Sequence, residues 1–256
     1  MPTFASFRED LPARVSTLPD VTGLVWAGAS AEPQRADEWS DHDFFLVVRS
    51  GTQEAFRRQL DWLPEFEDIA FSSRETEHGL KVVYRDGFIL EFAVFDGPEV
   101  ANAVLNHHAV SFGDEQLAAS LHGVLCDPDP VDPLSVDDHL GLFYAQLLIG
   151  TGRYLRGERL VGGQFVRSYC VGRLLQVAKA VLPSERRDAR DVLDVWRRVE
   201  LEFPQFAAEL DAALTGEVPE VAQRLSALGV RWFGGVSAVP AIAADVLARR
   251  LGWAIA

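Results

Sequence analysis

The stretch Trp39–Val48, WSDHDFFLVV, combines the signal of a β-strand with two acidic residues. Phe44–Val48 is a run of apolar, aromatic and β-branched residues, which predicts a buried strand. Asp41 and Asp43 stand at its start, and successive side chains of a strand point to opposite faces. The two carboxylates should therefore share one face, with Cα atoms about 6–7 Å apart. Like charges so placed repel unless a proton or a cation offsets them.

Mg²⁺ is the cation that such a pair suits best. It prefers oxygen ligands, takes one or two protein carboxylates, and completes its shell with water and substrate phosphates. Two ions about 3.5–4 Å apart also share such carboxylates in sites that catalyse in-line displacement. Because Asp-x-Asp pairs also occur at solvated strand ends, the interpretation needs support from other parts of the sequence.

The first support lies upstream, in the segment Leu24–Ser30, LVWAGAS. A strand that ends in Gly28, Ala29 and Ser30 lets backbone N–H groups approach a phosphate closely, and the serine hydroxyl adds a donor. An ordinary strand-to-loop turn uses the same small residues. The segment is therefore either a phosphate-binding turn or a plain connection.

The second support lies downstream, where Glu91 interrupts the apolar run FILEFAVF. A carboxylate in the middle of an apolar strand is costly unless it has a partner. Glu91 is therefore either a third acid of the same site or a solvated residue of an edge strand. Asp96, just beyond the strand, is the competing third acid.

The sequence divides into an α/β half and an all-α half, which predicts an α+β protein with domains 1–130 and 131–256 and a boundary near Pro128–Pro133. The elements predicted in the first half are a helix over Thr3–Leu18, a strand over Val21–Gly28, the Asp41 strand, a helix over Thr52–Leu63 capped by Thr52, a strand over Asp68–Ser73, and a hairpin over Leu80–Phe95 that turns at Asp86-Gly87. Those predicted in the second half are a long helix that begins at a Ser135/Asp138 capping pair and continues to Leu155, and further helices over Gln164–Val181 and Ser184–Val199.

Composition limits the function classes. The net charge of −14 argues against a nucleic-acid backbone as the main ligand, and is compatible with a cationic small molecule or with solubility alone. Cys126 and Cys170 lie far apart and form no zinc or disulfide pattern. No apolar run reaches membrane-spanning length, so a cytoplasmic protein without a membrane partner is expected.

Taken together, the Gly28/Ser30 turn, the string ADEWSDHD and an acid on a later hairpin strand resemble the nucleotidyltransferase superfamily built on the DNA polymerase β fold. The chain is most similar to the antibiotic nucleotidyltransferases of the aminoglycoside and lincosamide types. Members carry a Gly-Ser pair, about eleven residues, and an Asp-x-Asp/Glu pair, and the spacing from Ser30 to Asp41 matches. The helical half resembles the helical substrate-binding domain of those enzymes. The motifs cover about the first hundred residues.

The resemblance implies a site and a reaction. Asp41, Asp43 and Glu91 would hold one or two Mg²⁺ ions and be the catalytic residues, with Glu91 as metal ligand, general base or both. Gly28, Ala29 and Ser30 would bind the phosphates of ATP or another nucleoside triphosphate. A hydroxyl of a small-molecule acceptor would attack the α-phosphorus, and the protein would be a monomer or homodimer.

Arg153 and Arg156, three apart on the first long helix of the second half, form either a nucleotide-binding pair that reaches the phosphates across a cleft or a solvated helix face. The acceptor would sit between the two halves.

The chain departs from the family at two positions. Ala29 stands where members have the glycine before the serine, and His42 stands where the residue between the acids is usually apolar. His42 should point away from the acids and serve the structure. Two alternatives stay open: a protein-modifying nucleotidyltransferase, and a nucleotide-binding regulator or inactive relative.

Overall fold

The computed structural model describes residues 4–37, 39–105, 107–122, 132–191 and 193–253. Contacts divide the chain into two compact units, Met1–Pro128 and Asp129–Ala256. The first contains a mixed sheet with helices, and the described residues of the second contain helices but no strand. The predicted α+β class is therefore confirmed.

Two features of the sequence lie outside the described residues. They are the predicted domain boundary at residues 130 and 131 and Cys126.

The first unit is built on a six-stranded sheet in the order β3-β4-β5-β2-β1-β6. Its strands are β1 (Val21–Ala27), β2 (His42–Val48), β3 (Ile69–Arg74), β4 (Gly79–Tyr84), β5 (Ile89–Phe95) and β6 (His108–Phe112). β2 and β5 run parallel, and the other neighbouring strands run antiparallel. The Asp41 strand and the strand of Glu91 are thus neighbours at the centre of the sheet, and the edge-strand alternative for Glu91 is wrong.

The helices of the first unit are α1 (Phe4–Val15), α2 (Gly28–Ala31), α3 (Gln53–Arg58) and α4 (Glu115–His122), with 3₁₀ turns at Pro33–Arg35, Phe66–Asp68 and Glu99–Asn102. α1 packs on one face of the sheet, where Phe7, Leu11 and Val15 join the core formed by Phe44 and its neighbours. Leu117 and Leu121 of α4 pack on the other face. Alternation along β2 therefore sends His42 and Asp43 to opposite faces.

Two features of the first unit differ from the sequence prediction. The predicted helix over Thr52–Leu63 ends at Arg58, and the side chain of Thr52 caps nothing in it. Trp62 folds back so that its Nε1 donates to the carbonyl of Phe56 at 2.9 Å, which removes an acceptor that a longer helix would use. β6 and α4 were not predicted.

The second unit is organised around a long central helix, α5 (Val136–Leu155), which has the predicted extent and buries a stripe that includes Leu140, Phe143, Tyr144 and Leu147. The other helices are α6 (Arg159–Gln164), α7 (Cys170–Val181), α8 (Val199–Glu202), α9 (Pro204–Ala213), α10 (Val218–Phe233) and α11 (Val239–Leu251). A π-helical segment, Phe165–Tyr169, joins α6 to α7, so this helical path begins at Arg159, earlier than predicted. None of the helices in the described part of the chain is both long enough and apolar enough to span a bilayer.

The predicted helix over Ser184–Val199 is wrong. In its place lie a 3₁₀ turn at Arg187–Ala189 and further turns. The buried carboxylate of Asp191 accepts from the backbone N–H groups of Leu193 and Asp194, and Arg198 adopts a left-handed backbone with φ of 61°. Local side-chain hydrogen bonds of this kind compete with helical ones.

Ser135→Ala is expected to destabilise the chain by about 1 kcal/mol, the usual cost of losing an N-cap. The Ser135 hydroxyl accepts from the backbone N–H of Asp138, whose carboxylate accepts from the Ser135 N–H, so the capping box predicted for α5 is confirmed. The Ser135 hydroxyl also donates to Oδ2 of Asp138 at 2.6 Å, and this bond first, followed by the bond from the Ser135 N–H, lowers the pKa of Asp138.

Urea unfolding of wild type and Ser135→Ala measures this difference. Because the pKa of Asp138 is lowered on folding, its stabilisation is present above its unfolded pKa, about 3.9, and is lost as pH falls through the folded value. A Ser135→Ala variant with unchanged stability and an unchanged Asp138 pKa, followed by NMR, would contradict this role for the cap.

Candidate active site

Four residues form one row across the centre of the first unit's sheet. Lys81 of β4 lies opposite Glu91 of β5, Glu91 lies beside Asp43 of β2, and Asp43 lies opposite Ala27 of β1. Residues in such a row share a face and lie within contact distance of their neighbours. The sheet therefore places Glu91 directly beside Asp43. The sequence alone does not determine that these two residues are neighbours.

Three carboxylates converge at this row. Asp41, just before β2, joins Asp43 and Glu91, and one oxygen from each lies within 4.8 Å of the others. All three side chains are half-buried. Like charges on adjacent strands destabilise a sheet unless something compensates them. The three residues that the sequence proposed as metal ligands and catalytic acids are thus brought together.

Lys81 supplies part of the compensation. Its Nζ lies 3.2 Å from Oε2 of Glu91 and 2.9 Å from Oε1 of Glu75. Hydrogen bonds to Glu75 and then to Glu91 raise the pKa of Lys81, so it is charged at neutral pH. Sequence reasoning missed this lysine, although folding the hairpin about Asp86-Gly87 would have placed it opposite Glu91.

Asp96 does not belong to the cluster. It lies beyond the opposite end of β5 from the row of acids, where its Oδ2 accepts from the Ser50 hydroxyl at 2.8 Å and its Oδ1 accepts from the backbone N–H of Glu99. Glu99 returns the contact by accepting from the Asp96 N–H. Asp96 is therefore engaged by the segment that follows the strand, and the third acid of the cluster is Glu91.

The turn that follows β1 lies against the acids. Gly28 has a left-handed backbone, with φ of 51°, and opens the short helix α2. A Cβ atom on Gly28 would lie 3.0 Å from Cγ of Asp43 and would overlap its Oδ2. Only glycine therefore allows the backbone to approach the carboxylate this closely. Ala29, the next residue of the turn, is partly exposed.

Ser30 and His42 meet on the opposite face of β2. The Ser30 hydroxyl lies 2.7 Å from Nδ1 of His42, and Nε2 of His42 lies 3.1 Å from the backbone carbonyl of Phe4. Burial lowers the pKa of His42 to about 4. The ring is therefore neutral at neutral pH and points away from the acids, as the alternation predicts. The Ser30 hydroxyl thus bonds His42 in this structure, and its contact with a phosphate stays a prediction.

The donor set of the three acids fits Mg²⁺. Carboxylate oxygens are the ligands that this hard cation takes, and clustered negative charge favours its binding. Partial exposure also leaves room for the waters and substrate oxygens that complete an octahedral shell. Asp41, Asp43 and Glu91 are the residues that would hold the ion.

The two arginines predicted to bind nucleotide lie in the second unit. The guanidinium of Arg153 lies over the ring of Phe165, with 4.7 Å from Cζ to the ring centroid. Nε of Arg156 donates to Oε1 of Glu158 at 2.6 Å. A role for Arg153 in nucleotide binding stays a prediction.

Comparisons with known proteins give weak structural matches only. No family model and no curated protein matches the chain. An aminoglycoside 6-adenyltransferase from Bacillus subtilis matches with 12% identity and a TM-score of 0.34, over 100% of this chain and 94% of the other. A nucleotidyltransferase-like protein from Exiguobacterium sibiricum matches with 11% identity and a TM-score of 0.33, over 97% and 80%.

Proposed function

We propose that this protein is a magnesium-dependent nucleotidyltransferase that moves a nucleoside monophosphate, first of all AMP from ATP, onto a hydroxyl of a small molecule. The observation that carries the proposal is the convergence of Asp41, Asp43 and Glu91. The turn at Gly28 packs against Asp43 so closely that a side chain at that position would clash with the carboxylate. Carboxylates that can hold Mg²⁺ beside backbone N–H groups that can approach a phosphate suit a metal-bound triphosphate.

In the proposed reaction, the acceptor oxygen forms a bond to the α-phosphorus, the bond from that phosphorus to the β-phosphate oxygen breaks, and pyrophosphate leaves. Bound Mg²⁺ supplies neutralisation of the triphosphate and of the charge that develops on it. Asp41 and Asp43 fix the position of the donor, and the backbone of the Gly28 turn orients its phosphates. Positioning and charge neutralisation supply most of the rate in such transfers.

Glu91 has two roles that the geometry supports equally. One oxygen, Oε2, is engaged by Lys81, which leaves Oε1 to bind the ion or to accept the proton of the acceptor hydroxyl. The ion pair with Lys81 holds the Oε2 side of this carboxylate, with 3.2 Å between Nζ and Oε2. In either role, Glu91 must be deprotonated for the reaction.

The acceptor is proposed from charge and from the family resemblance. A net charge of −14 attracts cations, so polycationic aminoglycosides are the first class to screen. Lincosamides are the second class. A hydroxylated metabolite outside both classes would satisfy the same chemistry.

Thermal unfolding with ATP, GTP, CTP and UTP, each with and without Mg²⁺, tests the proposal. A ligand at about a hundred times its Kd stabilises the native state by about 2.7 kcal/mol. We expect a shift that requires both Mg²⁺ and one nucleotide, followed by pyrophosphate release when a suitable acceptor is added. Binding without turnover by any acceptor class would favour the regulator alternative, and no shift with any pair would contradict the proposal.

Lys81→Met is expected to tighten the binding of Mg²⁺ about fivefold, because a unit positive charge near a surface cation costs about 1 kcal/mol. Lys81→Arg keeps the charge and serves as the matched control, with affinity near that of wild type. Calorimetric titration with Mg²⁺ or Mn²⁺ measures the difference. Weaker binding in the methionine variant would show instead that the lysine acts mainly by orienting Glu91.

A further inference from the structure

The hydrogen bond between Ser30 and His42 has a defined direction. The Phe4 carbonyl only accepts, so Nε2 of His42 carries the ring proton that donates to it at 3.1 Å. Nδ1 is then an acceptor, and the Ser30 hydroxyl donates to it at 2.7 Å. Both side chains have an exposed fraction of 0%. Water therefore has no access to replace either partner.

Aromatic rings enclose the imidazole and fix its orientation. Phe4 stacks on His42 with 3.9 Å between ring centroids, and Phe7, Phe88 and Trp26 lie at 4.8, 5.3 and 5.8 Å. A buried imidazole is costly in such surroundings unless both nitrogens are satisfied. Each ring nitrogen thus has one hydrogen-bond partner, Ser30 for Nδ1 and the Phe4 carbonyl for Nε2.

These contacts hold the turn Gly28–Ala31 to strand β2 from both faces. On one face, Gly28 lies against the carboxylate of Asp43. On the other, Ser30 bonds His42, the residue directly before Asp43. Strand β2 therefore carries both Asp43 and the anchor of the turn that packs on it.

We propose that His42 is a positioning residue that fixes the turn Gly28–Ala31 against Asp43, and that Ser30 acts in nucleotide binding through this bond rather than by hydroxyl contact with a phosphate. This inference rests on the proposed function, since the turn is positioned for the phosphates of the donor. It explains why a polar histidine occupies a buried position between the two acids. It also assigns the Ser30 hydroxyl to His42.

Two substitutions of His42 separate its two hydrogen bonds. Asparagine places an acceptor near the position of Nδ1, so His42→Asn keeps the bond to Ser30. Glutamine places a donor near Nε2, so His42→Gln keeps only the bond to Phe4. Both remove the ring, which matches them for lost packing. Ser30→Ala removes one oxygen only and serves as the variant least able to disturb folding.

The first readout is amide hydrogen exchange of Ala29, Ser30 and Ala31, which requires no activity. We expect exchange about tenfold faster in Ser30→Ala and His42→Gln than in His42→Asn, the effect of one buried hydrogen bond. Equal exchange in the two His42 variants, or unchanged exchange in Ser30→Ala, would overturn the proposal.

The second readout is the kinetic split, measured at temperatures where all variants are folded. We expect Ser30→Ala and His42→Gln each to raise the KM for the magnesium–nucleotide complex about tenfold, with a smaller change in kcat. Because the two residues act as one unit, adding Ser30→Ala to His42→Gln should raise this KM little further. A tenfold increase in KM from Ser30→Ala in both the wild-type and the His42→Gln protein would show that the hydroxyl acts on the nucleotide by itself, and would overturn the proposal.

A different result would show that the proposed function is wrong: the wild-type protein would not bind nucleotide. The hydrogen-exchange comparison would still decide whether His42 fixes the turn.

Discussion

Asp43→Asn is expected to abolish magnesium-dependent nucleotide transfer, with a loss of about a thousandfold or more in kcat, while the protein stays folded. The carboxylate is the central member of the cluster, beside Glu91 in the sheet and under Gly28. Metal-bound charge stabilisation contributes several kcal/mol to the transition state, and about 4 kcal/mol corresponds to a thousandfold. Pyrophosphate release in the presence of the acceptor measures the loss.

Asp10→Asn is the matched control for this prediction. Asp10 is an exposed residue of α1 in the same unit, so its substitution makes the same change in net charge away from the cluster. We expect its activity to equal that of wild type, and thermal unfolding to show both variants folded. A soluble Asp43→Asn variant with full activity would show that Asp41 and Asp43 are not the ligands of an essential metal ion.

Gly28→Ala is expected to reduce activity to a similar extent by another route. The new methyl group would overlap the carboxylate of Asp43, so either the acid or the turn must move. The left-handed backbone at Gly28 adds about 1–2 kcal/mol of strain for any other residue. Urea unfolding measures the stability cost, and the Mg²⁺ dependence of nucleotide binding measures the damage to the site.

Gly87→Ala separates backbone strain from the clash. Gly87, in the hairpin turn of the same unit, is also left-handed, with φ of 90°, but a Cβ there meets nothing within 4 Å. We expect Gly87→Ala to lose stability and to keep nucleotide binding. Gly28→Ala should lose both. If the two variants bind magnesium and nucleotide equally well, the close approach of Gly28 to Asp43 has no functional importance.

Much of the fold follows from local patterns in the sequence. The apolar run after Asp43 forms β2, the Asp86-Gly87 dipeptide turns the hairpin, and the spacing of apolar residues gives α5. The shared side of Asp41 and Asp43 follows from strand alternation alone. These features depend on neighbours in the chain, which is why they could be read from it.

The pairing that completes the site is non-local and could not be read in the same way. Whether Glu91 faced water or Asp43 depended on β5 lying beside β2, a parallel contact between distant segments. The bond from Ser30 to His42 depends on another pairing between segments, that of β1 with β2, which brings the turn after β1 onto β2.

The wrong predictions also have physical causes. Helical spacing over Ser184–Val199 was overridden by the buried Asp191, which draws backbone N–H groups into a turn. Helical spacing beyond Arg58 was overridden by Trp62, which folds back onto the carbonyl of Phe56. In both segments a hydrogen bond between a side chain and nearby backbone outweighs a weak helical preference.

The most direct test of the central claim is calorimetric titration of the wild-type chain with an ATP analogue in which a methylene group replaces the α,β-bridging oxygen. The analogue can bind but cannot release pyrophosphate. If Asp41, Asp43 and Glu91 hold the metal of a metal–nucleotide complex, binding will require Mg²⁺ and will vanish in Asp43→Asn. Equal binding in the presence of a chelator, or equal binding by Asp43→Asn, would contradict the account.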